Sequence, residues 1–219
     1  MSSDLHRWCW LLLLTPLLIG AGGCAKPRTL AYQSLQDARI LDDFRLDGRL
    51  DDGSFDGAAG VVILEFGRGG LGIGFTVGHG VALRRLDDRW SPPLPLDIVA
   101  GSVGFQIGGE GGRMVMIFRD AASFEDFVFE GTQFLAEASG TAGTASGAAG
   151  NPLDRPKVEV VSSTGGLYGG AVIGGFGVTV DSSMMRDGYG PEATPRGVLD
   201  GRGAPTPPGA ITLWKSLGE

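Results

Sequence analysis

A mainly β fold of the β-rich α+β kind is predicted, an antiparallel sandwich or barrel-like sheet with an N-terminal helix, one inserted helix and a short C-terminal helix. Three observations predict it. The chain carries 39 glycines in 219 residues, more than twice the usual share of about 7%, and each one costs helix stability, which excludes an all-helical bundle. Beyond Ala58, short runs of β-branched and aromatic residues recur between glycines at a spacing of roughly 8 to 12 residues, the signature of an antiparallel sandwich or barrel. Helical periodicity is confined to a few short segments. With 42% hydrophobic and 20% charged residues, the chain has enough apolar material for one core, so wholesale disorder is not expected.

The N-terminus reads as a targeting segment. Arg7 supplies a weak positive charge, and the apolar stretch Trp8 to Ile19 spans 12 residues broken by Pro16. A bilayer span needs about 20 apolar residues, so this stretch is too short for a permanent anchor. Ala21-Gly22-Gly23-Cys24 resembles the lipobox of bacterial lipoproteins, in which cleavage leaves an acylated cysteine as the first residue. Residues 1–23 are then a lipoprotein signal peptide and Cys24 the lipid attachment site, with palmitate-type chains. The alternative is an ordinary secretory peptide cut near Gly23 with an incidental thiol. Cys9 leaves with the signal, so the mature chain keeps no disulfide partner for Cys24. Each buried acyl methylene contributes about 0.8 kcal/mol, and two or three chains hold firmly without a basic surface. Ala25, in place of an Asp after the cysteine, favours the outer membrane of a Gram-negative cell, facing the periplasm.

Residues 24–56 are read as a tether, Lys26 to Arg28, followed by an amphipathic helix. Leu30, Leu35, Ala38, Leu41 and Phe44 fit a helical spacing, and Leu30 to Ile40 lacks Gly and Pro; a flexible leader is the alternative. Asp42, Asp43, Asp47, Asp51, Asp52 and Asp56 are of the residue type that ligates calcium. No glutamate stands twelve residues from a first Asp, so the stretch is read as a solvated loop and no metal is expected. The strand runs are Val61 to Phe66, Leu71 to Val77, Gly80 to Leu86, Ser102 to Ile107, Arg113 to Phe118, Lys157 to Ser162, Leu167 to Ile173 and Phe176 to Val180. Asp120 is placed to cap an inserted helix with Phe124, Phe127 and Val128 on one face and Gly131 at its end. Thr132 to Gly150 is either a pair of small-residue strands or a mobile loop. Residues 191–219 read as a Pro/Gly-rich strap, closed by a helical turn or two over Ala210 to Leu217 that docks Leu213 and Trp214.

Charge and chemistry narrow the function. With 18 Lys+Arg against 25 Asp+Glu the net charge is −7, against a nucleic-acid partner, which requires a basic face. His79, between Gly78 and Gly80, is the mature chain's single imidazole, and a tight turn between strands is expected there. No G-x-S-x-G elbow accompanies it. Zinc sites lack their His and Cys ligands. Gly70-Leu71-Gly72-Ile73-Gly74 lacks the Lys-Ser/Thr of a P-loop and the full dinucleotide spacing, so these glycines are read as bulges or close backbone approaches. No catalytic residue and no cofactor is expected.

Residues 57–190 resemble the SYLF domain family. The residues that carry the resemblance are Ala59-Gly60-Val61-Val62-Ile63-Leu64, Gly72-Ile73-Gly74, Gly80-Val81-Ala82-Leu83, Trp90-Ser91-Pro92-Pro93, the run from Gly101 through Phe105-Gln106-Ile107 to Gly109, Gly166-Leu167-Tyr168-Gly169-Gly170 and Tyr189-Gly190. The resemblance implies a β-rich domain with flanking helices that binds phospholipid, with phosphoinositide and actin binding in eukaryotic members and secreted lipoproteins among bacterial ones. Actin is not expected as a partner of a periplasmic chain. Arg68 matches a basic position of the family and Trp90 an aromatic one, which makes them the candidate lipid-binding residues. Each also has an ordinary explanation, Arg68 as a solvated turn charge and Trp90 as a core or edge residue. Ser162-Ser163-Thr164-Gly165 stands where the family carries basic residues, so binding is expected through apolar surface rather than a basic field.

The expected function is therefore a non-enzymatic, lipid-anchored envelope domain that binds phospholipid or another amphiphile. The alternatives are an envelope structural or protein-interaction module without intrinsic lipid binding, pairing through sheet edges, and an unrecognised hydrolase.

Overall fold

The computed structural model describes residues 28–130, 132–139, 158–202 and 205–219. The signal segment, Cys24 and most of the small-residue stretch after Ser139 lie outside them. Helix α1 (Leu30–Leu46) starts where the spacing predicts, capped by Thr29, whose hydroxyl accepts from the Tyr32 backbone N–H. It runs past Ile40 and takes in Asp42 and Asp43, which are helical rather than part of a loop.

The eight short runs are a misreading corrected by the structure, since they merge into three long strands. These are β1 (Gly60–Leu86), β3 (Leu94–Phe118) and β5 (Val158–Val180); β2 (Arg89–Trp90) and β4 (Thr132–Ser139) are shorter. All pairs are antiparallel and the order is β2-β1-β3-β5-β4. Glycine punctuates turns, but in an extended strand it also lets the chain continue while bending sharply. Gly67 faces Gly111, Gly69 faces Gly109 and Gly70 faces Gly108 along the β1–β3 ladder. The expected irregularity is present, because the β1–β3 register shifts between Leu71 and Ile73: Gly72 alone stands opposite Gly104, Phe105 and Gln106, so the extra residues lie in β3.

The bend folds β1 back on itself. A Cβ at Gly78 would stand 2.7 Å from the Glu65 carbonyl oxygen, and one at Gly80 would stand 1.8 Å from that of Ile63. The Arg85 N–H donates to Ala59 O at 3.0 Å. These three approaches fall in antiparallel order, so the two halves of β1 run past each other in opposite directions.

One core joins both halves of the sheet to the helices. Val61 to Leu64, Val81 to Leu83 and Val115 to Phe118 are buried together with Leu30, Leu41 and Phe44 of α1. Asp120 caps α2 (Ala121–Glu125) by accepting from Ser123 N at 2.8 Å, and a π-helical turn, Asp126–Glu130, follows. Phe124 and Phe127 of this segment both pack on Phe118, at ring separations of 5.6 and 5.2 Å. The strand alternative holds for 132–139.

The C-terminal region is more ordered than a strap. Helix α3 (Ser182–Tyr189) is capped by Asp181, and α4 (Pro195–Leu199) by Thr194 with Pro195 in its first turn. Helix α5 (Ala210–Ser216) packs against α1 with Leu213 buried and Trp214 partly so, as the sequence predicts. Pro/Gly richness hid α3 and α4 because each is a short helix stabilised by its cap and by burial of Met184, Met185, Val198 and Leu199 rather than by propensity.

Candidate functional site

Trp90 lies in the core rather than at an interface, at 1% exposure. Its ring meets Phe55 edge-on at 6.5 Å, and the Arg85 guanidinium covers it at 4.9 Å. The whole Trp90-Ser91-Pro92-Pro93 segment is a structural hub. The Ser91 hydroxyl accepts from Arg84 N and donates to Pro92 O, and the Ser91 carbonyl accepts from Trp214 Nε1 at 3.0 Å. Tyr189 Oη–H donates to Pro93 O at 2.7 Å, and the Trp90 N–H donates to the Glu219 carboxylate. The segment therefore fastens α3 and α5 to the sheet. Arg68 stands half-buried within β1, in register with Glu110, and not in a turn.

The expected turn at His79 is also corrected. His79 is a strand residue in register with Asp97 of β3, which is in register with Thr179 of β5. Backbone pairing continues on both sides, so Gly78 and Gly80 serve the close approach described above and not a reversal. This row is polar and charged. His79 Nε2 lies 4.0 Å from Glu65 Oε2, and Arg28 reaches Asp97 Oδ1 at 2.9 Å and Asp181 Oδ2 at 3.4 Å. Arg28, read from sequence as the end of a tether, is thus held between two carboxylates. Burial, followed by the Arg28 charge, holds the His79 pKa below its usual value against the pull of Glu65 and Asp97.

Two residues further along each strand the same face becomes apolar. Val77 is in register with Val99, and Phe75 follows on β1. Their exposures are 64% for Phe75, 53% for Val77 and 63% for Val99, high values for clustered large apolar side chains on one sheet face. An apolar tip bordered by a charged row is the arrangement of a surface that enters a nonpolar phase to a limited depth.

Sequence reasoning missed Phe75, Val77, Val99, Asp97 and the role of Arg28. The period-two pattern Phe75-x-Val77-x-His79 was there to be read, but alternation does not say which face is outward.

A second polar feature lies under α1. Asp37 is fully buried; Gln33 Nε2 donates to its Oδ1 at 3.0 Å. Burial raises its pKa well above the ordinary value, with Glu65 adding to the rise and the Gln33 bond and Arg28 opposing it. Among the described residues no group of three or more His, Cys, Asp and Glu is placed to hold a metal, and no helix is long and apolar enough to cross a membrane.

A family model described as Ysc84, Las17-binding protein actin regulator, matches residues 99–219, from within β3 through α5 and beyond half of the chain. Neither the curated proteins nor the solved structures include a significant match.

Proposed function

The chain belongs to the Ysc84 family, that of the SYLF domain, and on that premise we propose that it is a non-enzymatic lipid-binding protein of the bacterial cell envelope. The family is known for lipid binding and actin regulation. Of these, lipid binding is the activity this chain's surface supports. The observation that carries the reading is the exposed apolar tip formed by Phe75, Val77 and Val99 on the outer face of the sheet. Such a tip inserts among acyl chains, while the row of His79, Asp97 and Arg28 stays at headgroup level.

The net charge of −7 opposes adsorption to anionic lipid, so recognition is apolar and weakly dependent on salt. The signal segment ending at Gly23-Cys24 supports acylation at Cys24 and placement at the outer membrane facing the periplasm. Arg68, half-buried in β1, retains a place in the proposal as the candidate cation for a lipid phosphate, whereas Trp90 acts by holding the core.

Flotation with phosphatidylethanolamine vesicles tests the reading, using a chain that begins at position 24 with Cys24→Ser. Co-migration of this unacylated protein with the vesicles, retained in high salt, is expected. Failure to float with any lipid offered would remove intrinsic lipid binding. A second exposed apolar group favours the alternative, an interaction module with an envelope partner. It comprises Tyr32 and Leu35, one turn apart on α1, and Ile211 on the adjoining α5. In that case the same chain would stay in the aqueous fraction.

A further inference from the structure

We propose that the apolar tip is a docking face for the very membrane that holds the acyl chains of Cys24, and that Arg28 is the clamp that turns this face toward it. The proposal rests on the lipoprotein reading above and adds to it an orientation and a contact surface. Cys24 precedes Arg28 by four residues. Four extended residues span at most about 14 Å. Arg28 is fixed to Asp97 on β3 and to Asp181, the cap of α3. From Asp97 the next residue on the same face is Val99, about 7 Å along the strand, and Val77 lies across from it. The attachment point is thus held within a four-residue tether and one Arg–Asp ion pair of the strand that carries Val99.

This geometry chooses among occupants. Three exposed side chains make a small contact, which from free solution suffices for co-migration at high lipid concentration but, set against the loss of rigid-body freedom, leaves part of the protein unbound. A tether this short makes the encounter intramolecular, so the same contact is occupied nearly all the time. A tether of several tens of residues, or one leaving the domain at the far end of α1, would give no such bias. Leu46, at that far end and fully out in solvent, lies about 24 Å along the helix axis from Leu30 and is the natural reference position.

The test uses the full chain matured in a Gram-negative host and reconstituted into phosphatidylethanolamine/phosphatidylglycerol vesicles. Val99→Cys, or Leu46→Cys in a parallel sample, carries an environment-sensitive fluorophore. With Cys9 removed and Cys24 acylated, the introduced thiol is the one open to labelling. The mass of the mature N-terminus reports acylation separately. Expected are an acylated mass, a blue-shifted emission at position 99, and quenching there by lipids spin-labelled high on the acyl chain, with none at position 46. Arg28→Ala, and independently Asp97→Asn, should lower quenching at 99 while the protein stays on the vesicles. An acylated, vesicle-bound protein whose two probes are quenched alike would overturn the docking face and leave the lipoprotein reading standing. So would a probe at 99 that reports contact with a second copy or a co-purified protein instead of lipid, or clamp variants that leave quenching unchanged. An unmodified Cys24 would remove both.

Discussion

Gly80 passes the Ile63 carbonyl so closely that a methyl group at its Cα would stand 1.8 Å from that oxygen. Both atoms concerned are backbone, so no side chain can rotate away and the two halves of β1 would have to part. Gly80→Ala is therefore expected to destabilise the fold by about 3 kcal/mol or more. Gly111→Ala, where the nearest atom lies at an ordinary 3.8 Å, should cost far less. Urea unfolding of the two variants side by side measures the difference.

Asp37 gives a pH dependence with a definite sign. Its folded pKa lies above the unfolded one, so the native state binds the proton more tightly. The stabilisation is present below the ordinary value of 3.8 and declines as pH rises through the raised folded value. Asp37→Asn keeps an acceptor for Gln33 and cannot ionise. This variant should be more stable than the parent at neutral pH, and the two should converge in acid.

His79 works in the opposite sense. Its folded pKa is depressed below 6.5, so its contribution is complete above 6.5 and falls away as pH drops through the folded value. An NMR titration of the ring should place its midpoint below 6.5. His79→Gln should remove this acid-side loss without touching the trend set by Asp37.

Phe75 separates binding from folding. Its side chain is largely in solvent, so Phe75→Ser should change stability by no more than about 0.5 kcal/mol. Flotation of the unacylated chain should drop sharply in the same variant. Val77→Ser combined with Val99→Ser should do the same.

Arg84 ties three elements together, donating to Glu125 at 2.6 Å near the end of α2 and to Asp200 at 2.8 Å after α4. Its side chain is mostly buried, and both partners lose a charge-assisted bond when it is removed. Arg84→Ala should cost on the order of 2 kcal/mol. Arg84→Lys should not restore it, because an ammonium lacks the two-pronged geometry that meets both carboxylates. Thermal unfolding reads both.

Helix α1 and the Asp120 cap with Phe124 behind it were legible because each depends on neighbours within a turn or two. The long strands were not legible. Gly78 and Gly80 carry the same local signal in a turn and in a strand, and what excludes the turn is the Ile63 backbone, far away along the chain. For Trp90 the sequence leaves two readings open, a lipid-binding aromatic and a core or edge residue. Its burial depends on Phe55, Arg85 and the C-terminal residues that converge on its segment.

By itself the sequence determined the β-rich class, the family, the Asp120 helix cap, the acidic balance and the short apolar stretch Trp8 to Ile19, all of which depend on composition or local spacing. Only the tertiary structure decided that Phe75, Val77 and Val99 face outward and that Arg28 stands beside them. The reason is physical. Alternation in a strand is symmetric between its two faces, and the choice between them is made by what packs on each. Here the helices and the doubled-back half of β1 bury Val61 to Leu64, Val81 to Leu83 and Val115 to Phe118, while Phe75, Val77 and Val99 stay exposed.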